Sequence, residues 1–190
     1  LIEVENGQYW LHPVIRAIAI ERLRQSEWWH LANQVAATHW SNSIELLTSL
    51  SDAQQALEAY YHHVAIGEYS AAAQVLLQSR HNQWQQFLPL ASSLYRMGLL
   101  QPVSTLIVEV LSHLESASKP SPQISELRNI LGDIYWITGE INQAIECQQD
   151  AIATTQNHLA TTNRADPFNH YYLQMLNIDS RLSLGLYAMD

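Results

Sequence analysis

The chain has 190 residues, 47% of them apolar and 14% charged, which allows a sizeable core and excludes wholesale disorder. Nine basic side chains against eighteen acidic ones leave a net charge of −9, a balance that phosphate backbones repel. The one cysteine, Cys147, excludes an internal disulfide, no apolar run reaches the roughly 18 to 20 residues of a membrane helix, and Glu3 and Glu5 deny the first residues the basic flank of a signal peptide.

The chain opens with "LIEVE" and "QYWLH", two short runs rich in β-branched and aromatic residues. Asn6-Gly7 between them supplies the positive φ angles of a type I′ turn, so a hairpin is expected. Pro13 suits the first turn of a helix, and "VIRAIAIERLRQ" carries apolar residues at helical spacing. Two strands alone are marginal, so the pair is expected to belong to something larger. From Ser26 onward no convincing strand is read. Ser26 and Glu27 open "SEWWHLANQVAATHW", where Trp29, Ala32, Ala36 and Trp40 share one helical face. Further helices follow, punctuated by Gly67, Gly98, "SKPSP" at 118–122, Gly139 and "TTNRADP" at 161–167.

Residues 125–158 form the clearest internal unit. Leu127, Ile130, Leu131 and Ile134 make one apolar stripe, and Ile141, Ala144, Ile145 and Ile152 make the next. Gly132, Ala144 and Ala151 are small where two antiparallel helices must approach, and Gly139 permits the turn between them. With Leu131-Gly132, Tyr135, Gly139, Ala144 and Ala151 at these intervals, the unit resembles a tetratricopeptide repeat. Arg128 stands where a large apolar residue is usual, and Gln156 where proline is. Two looser units align on their turn glycines: Gly67 with Ala72, and Gly98 with Ala91 and Val103, Pro102 falling in the first turn of its helix. "DSRLSLGLYAMD", with Leu184-Gly185, reads as the start of another first helix, so the array is expected to be cut within a repeat.

Taken together, the chain resembles the C-terminal part of a STAND-class (NB-ARC-like) signalling ATPase with tetratricopeptide repeats. Residues 1–25 look like the end of its winged-helix domain, hairpin plus helix. Residues 26–190 look like the repeat array. The resemblance implies an all-α, right-handed superhelix of helix pairs with a short N-terminal β-hairpin remnant. It also implies a cytoplasmic signalling role, with partner binding shifting the parent between closed, ADP-bound and open, oligomerising states. Many such ATPases carry Met-His-Asp just before this helix, and its histidine senses the bound nucleotide. Leu11-His12-Pro13 occupies that place, which makes His12 the candidate nucleotide sensor of the parent. Proline replaces the aspartate, and the acid's capping role goes with it. The alternative for His12 is a strand-end residue bonding a backbone group.

No phosphate-binding Gly-x-x-x-x-Gly-Lys-Ser/Thr loop and no Gly-x-Ser-x-Gly elbow occurs, so the chain reads as a non-enzyme without a cofactor. His62 and His63 are adjacent, hence about 100° apart on a helix, and do not converge on one metal. Cys147 reads as a small, half-buried apolar group.

In tetratricopeptide arrays first helices line an inner groove. The matching positions here are Glu126, Asn129, Asp133 and Trp136, on one helical face opposite Ile130 and Ile134. The same registration adds Gln54 and Tyr61, then Gln85, Ser92, Tyr95 and Arg96. The expected partner is a protein or peptide, basic or neutral, with a small-molecule inducer as the alternative and an intramolecular contact to an upstream nucleotide-binding core. Neither nucleic acid nor membrane is expected. Ala144→Asp is expected to unfold the array, and Asp133→Ala to spare its stability.

Overall fold

The computed structural model describes residues 2–5, 8–117, 121–161 and 167–187. The Asn6-Gly7 turn, most of "SKPSP" and most of "TTNRADP" lie outside them. The described residues are mainly helical, with two small sheets.

β1 (Ile2–Glu5) and β2 (Gln8–Leu11) pair antiparallel, with Ile2 opposite Leu11 and Glu5 opposite Gln8. α1 (Pro13–Arg24) follows at once. Its N-cap is His12, whose Nδ1 accepts the Val14 N–H at 3.3 Å while Pro13 takes the first helical position. His12 thus does the capping that an aspartate before the helix would otherwise do. α1 buries none of its residues.

The rest is a succession of helix pairs. α2 (Trp29–Ser43) packs on α3 (Leu50–Ala65), and α3 turns back into α4 (Tyr69–Leu77). α5 (Leu90–Arg96) pairs with α6 (Leu100–Ala117), and α7 (Pro122–Thr138) with α8 (Ile141–Thr161). α9 (Pro167–Tyr187) lies against α8 and α7. The α3–α4, α5–α6 and α7–α8 turns are the same object at backbone level. Gly67, Gly98 and Gly139 adopt φ of 74°, 92° and 84°, a region that only glycine enters without strain. Beyond each glycine the next N–H reaches back five residues, Glu68 to His63, Leu99 to Leu94 and Glu140 to Tyr135, closing the helix as a Schellman motif. Five residues past each glycine stand Ala72, Val103 and Ala144, all fully buried. The internal repetition is therefore carried by backbone geometry as well as by residue type.

The core runs without a break from Leu47 in the α2–α3 connection to Ile134 in α7. Leu127, Ile130, Leu131 and Ile134 are buried, as their spacing predicts. On α8 the stripe is narrower than predicted: Ala144 and Ala151 are buried, whereas Ile141 is 37% exposed. A polar residue, Gln148, fills the centre instead, fully buried. At Gly132 an added Cβ would lie 2.7 Å from the Gln148 amide nitrogen and 3.3 Å from the Ala144 carbonyl, so the glycine is required by close helix approach. Arg128, atypical for its repeat position, pairs with Glu115 of α6 at 2.9 Å and Asp150 of α8 at 3.1 Å. Without proline at 156, α8 runs on to Thr161.

The reading of no strand after Ser26 is corrected. β3 (Leu46–Leu47), β4 (Ser79–Asn82) and β5 (Phe87–Pro89) form a sheet in which β3 and β4 are parallel and β4 and β5 antiparallel. Asn82 drives the β4–β5 turn, its buried Oδ1 accepting the Trp84 and Gln86 N–H groups, both at 3.0 Å. Pro89 then holds Leu88 extended, so the helix starts only at Leu90. The registration that put Gln85 on the same first helix as Ser92 and Tyr95 is thereby corrected.

Candidate functional site

The face of α7 opposite its apolar stripe meets α9. Tyr172 Oη donates to Glu126, Asn129 Nδ2 donates to Ser180 Oγ at 3.1 Å, and Tyr187 Oη donates to Asp133 Oδ1 at 2.7 Å. Ser183 adds a long bond to Asp133 at 3.4 Å. Trp136 stacks on the Tyr187 ring, with centroids 4.6 Å apart and planes 16° from parallel. Gln148 sits beneath this seam and donates to the Asn129 carbonyl and to Tyr187 Oη, both at 3.2 Å. The four predicted groove residues of α7 are therefore held by partners on a neighbouring helix. This overturns the expectation that Asp133→Ala spares stability, because that change would strip the buried Tyr187 hydroxyl of an acceptor.

Between α5, α7 and α9 the seam opens into a cavity of about 310 Å³. Ser92, Tyr95, Arg96, Glu126, Asn129 and Asp133 all line it. From α9 come Asp179, Ser183 and the apolar Leu176, Leu182 and Leu186. Three carboxylates thus face one cavity with Arg96 as their only cationic companion in the lining. Burial raises the Glu126 and Asp133 carboxyls above their ordinary range, against the opposing pull of their tyrosine donors. Burial raises Asp179 as well, and Asp179 makes no hydrogen bond or ion pair among the described residues. A second cavity, of about 490 Å³, is lined by Gln74, Gln123 and Tyr172 and shares Glu126 with the first.

No family model, curated protein or solved structure matches the chain. What the site can do must come from its own chemistry.

Some predicted groove residues lie elsewhere. Gln85 occupies the β4–β5 turn at φ 59°, because the helix that would have carried it into the groove begins five residues later. Tyr61 is half exposed on α3 and packs edge-on against Tyr60. Gln54 is exposed on the same helix. Tyr60, by contrast, is fully buried, its single hydroxyl proton shared between the Leu106 carbonyl at 3.1 Å and Glu109 at 2.9 Å, tying α3 to α6. His62 and His63 bond to different partners, Asn33 and Glu68, each at 2.9 Å. Among the described residues no cluster of three histidine, cysteine or acidic side chains is placed to hold a metal. Cys147 is half-buried, and burial pushes its thiol up to about 11. No described helix is long and apolar enough to cross a membrane.

The α9 contribution was missed, although its signal was present. Aligning Leu184-Gly185 on Leu131-Gly132 places Asp179 at the position of Glu126, with Leu182 and Leu186 at those of Asn129 and Asp133. All three line the cavity.

Proposed function

We propose that the chain is a helical-repeat interaction module whose cavity between α5, α7 and α9 receives a cationic side chain, lysine or arginine, from a protein partner. The observation that carries this reading is the grouping of Glu126, Asp133 and Asp179 around one cavity, with Asp179 forming no hydrogen bond or ion pair among the described residues. A guanidinium or ammonium entering there gains carboxylate acceptors and relieves their mutual repulsion. The flanking Leu176, Leu182 and Leu186 suit the methylene stem of such a side chain. The net charge of −9 steers a basic partner toward the chain.

In the wider reading, taken from the resemblance to STAND-class ATPases, this binding event regulates a parent nucleotide switch in the cytoplasm. His12, capping α1, would then be the group linking the array to the nucleotide core. The alternative of a small-molecule sensor draws on cavity volumes of about 310 and 490 Å³, within the range of ligand pockets.

Selection of random peptides displayed on phage against the immobilised protein tests the protein-binding reading. Enrichment of lysine- or arginine-bearing peptides that lose binding on Asp179→Asn and weaken with added salt supports it. Enriched peptides indifferent to Asp179→Asn would refute the cavity as the site. A cationic metabolite outcompeting every peptide at that cavity would favour the sensor.

A further inference from the structure

Arg80, in the middle of β4, is 3% exposed, and no carboxylate pairs with it among the described residues. Its Nε donates to the Ile44 carbonyl at 2.9 Å, and its Nη2 donates to the Ser41 carbonyl at 3.1 Å and to Gln78 Oε1 at 3.3 Å. Those bonds clamp the end of α2 to the sheet. Nη1 is buried and has no hydrogen-bond partner among the described residues. Clamping two carbonyls needs donors but not a charge, and a neutral amide could supply them. A buried cation without a counter-charge is costly, and proteins ordinarily meet that cost with a paired carboxylate. Here its hydrogen-bond partners are all neutral acceptors, and burial lowers the guanidinium's proton affinity.

Arg80 also lines a cavity of about 370 Å³ between the α2–β3 corner and the β4–β5 edge. Its walls carry Ser41, Asn42, Ser79 and His81, with Phe87 and Glu45 as further lining. The Phe87 ring is 63% exposed and lies against His81, with centroids 5.0 Å apart. Glu45 is exposed and forms no ion pair with Arg80. We infer that this cavity is an oxyanion site, in which a carboxylate or phosphate group supplies the counter-charge that Arg80 lacks. The hydroxyls of Ser41 and Ser79, the Asn42 amide and the His81 ring are the polar groups available to orient it. Ser79 also lines the 490 Å³ cavity, which in turn shares Glu126 with the acidic one. The anion cavity and the acidic one nevertheless share no lining residue, so the anion site is a separate place from the proposed cation site and stands if that proposal fails.

The test is a nuclear magnetic resonance titration of the whole chain with sodium phosphate and, separately, sodium acetate, chloride holding the ionic strength constant. Saturable shifts at the amides of Asn42, Glu45, Ser79 and His81 are expected with at least one anion. Response to acetate alone identifies a carboxylate ligand, and response to phosphate alone a phosphate ligand. Arg80→Lys keeps the charge but loses the planar fork, and is expected to weaken binding about 10-fold or more. Should that variant fail to fold, Glu45→Gln, at an exposed position, is expected to tighten binding by removing a like charge. The absence of saturable shifts with both anions would overturn the inference. So would a folded Arg80→Lys protein binding as tightly as the parent chain, or weaker binding by Glu45→Gln.

Discussion

Two glycines in helices separate packing from propensity. At Gly132 a new Cβ meets the buried Gln148 amide, which already bonds to Asn129 and Tyr187 and has nowhere to retreat. At Gly185 nothing lies within 4 Å of the added atom. Gly132→Ala should therefore cost about 1–3 kcal/mol as overpacking, whereas Gly185→Ala should gain about 0.5–1 kcal/mol from helix propensity. Urea denaturation of the two variants measures both signs, and a stabilised Gly132→Ala would mean that the α7–α8 approach is looser than described. Glu126 offers a third test at this scale. Its carboxyl is raised by burial, so the folded chain holds that proton more tightly than the unfolded one. Its contribution to stability is accordingly greatest once protonated and falls as pH rises through the window between the ordinary glutamate value and the raised one. Glu126→Gln keeps an acceptor for Tyr172 and removes the ionisation. The variant should be more stable than the parent chain at pH 7, with the difference shrinking as pH falls through that window. A gap that grows on acidification would contradict the sign. Glu68 and Asp52 work oppositely: hydrogen bonds, chiefly from Gln34 and Thr48 respectively, lower their values, and their stability is lost only as pH falls through those lowered values.

Among the elements, the α7–α9 seam decides how the predicted site residues behave. Asp133 and Tyr187 bond at 2.7 Å with the tyrosine buried, so either deletion leaves a partner unsatisfied. Asp133→Ala and Tyr187→Phe should each cost about 1–2 kcal/mol. Combined, they should cost less than the sum, with a coupling of at least ~0.5 kcal/mol in a double-mutant cycle. Strict additivity would show that the two side chains do not communicate. The elements also show what the sequence made legible. The three glycine turns and the buried stripe of α7 could be read because local chemistry fixes them: positive φ demands glycine, and close helix approach demands small residues. The β3–β4–β5 sheet could not, because β3 is only two residues long and gains its identity from β4, which is distant in sequence. Asn82 and Pro89 carried the turn signal, but the alignment on Gly98 took the helix back through Gln85. Gln85 left the predicted groove for that reason. The polar centre of α8 was equally illegible, since Gln148 becomes a core residue only when Tyr187 and Asn129 arrive around it.

At the scale of the whole molecule, an unbroken core from Leu47 to Ile134 joins the helix pairs, while the surface between α5, α7 and α9 collects carboxylates at an opening. An array of this kind owes its surface to the stacking of successive helix pairs. It presents a surface whose shape comes from backbone repetition, and the proposed specificity rests on the residues that break it, here Glu126, Asp133, Asp179 and Arg96. The central claim is that this cavity takes a cationic side chain, and titration of the isotopically labelled chain with N-acetyl-arginine amide tests it most directly. The neutral citrulline analogue, matched in shape, serves as the control. The account predicts saturable amide shifts centred on Ser92, Asn129, Asp133, Asp179 and Ser183 with the arginine compound and none with citrulline. Equal responses to the two compounds, or arginine shifts confined to another face of the molecule, would contradict it.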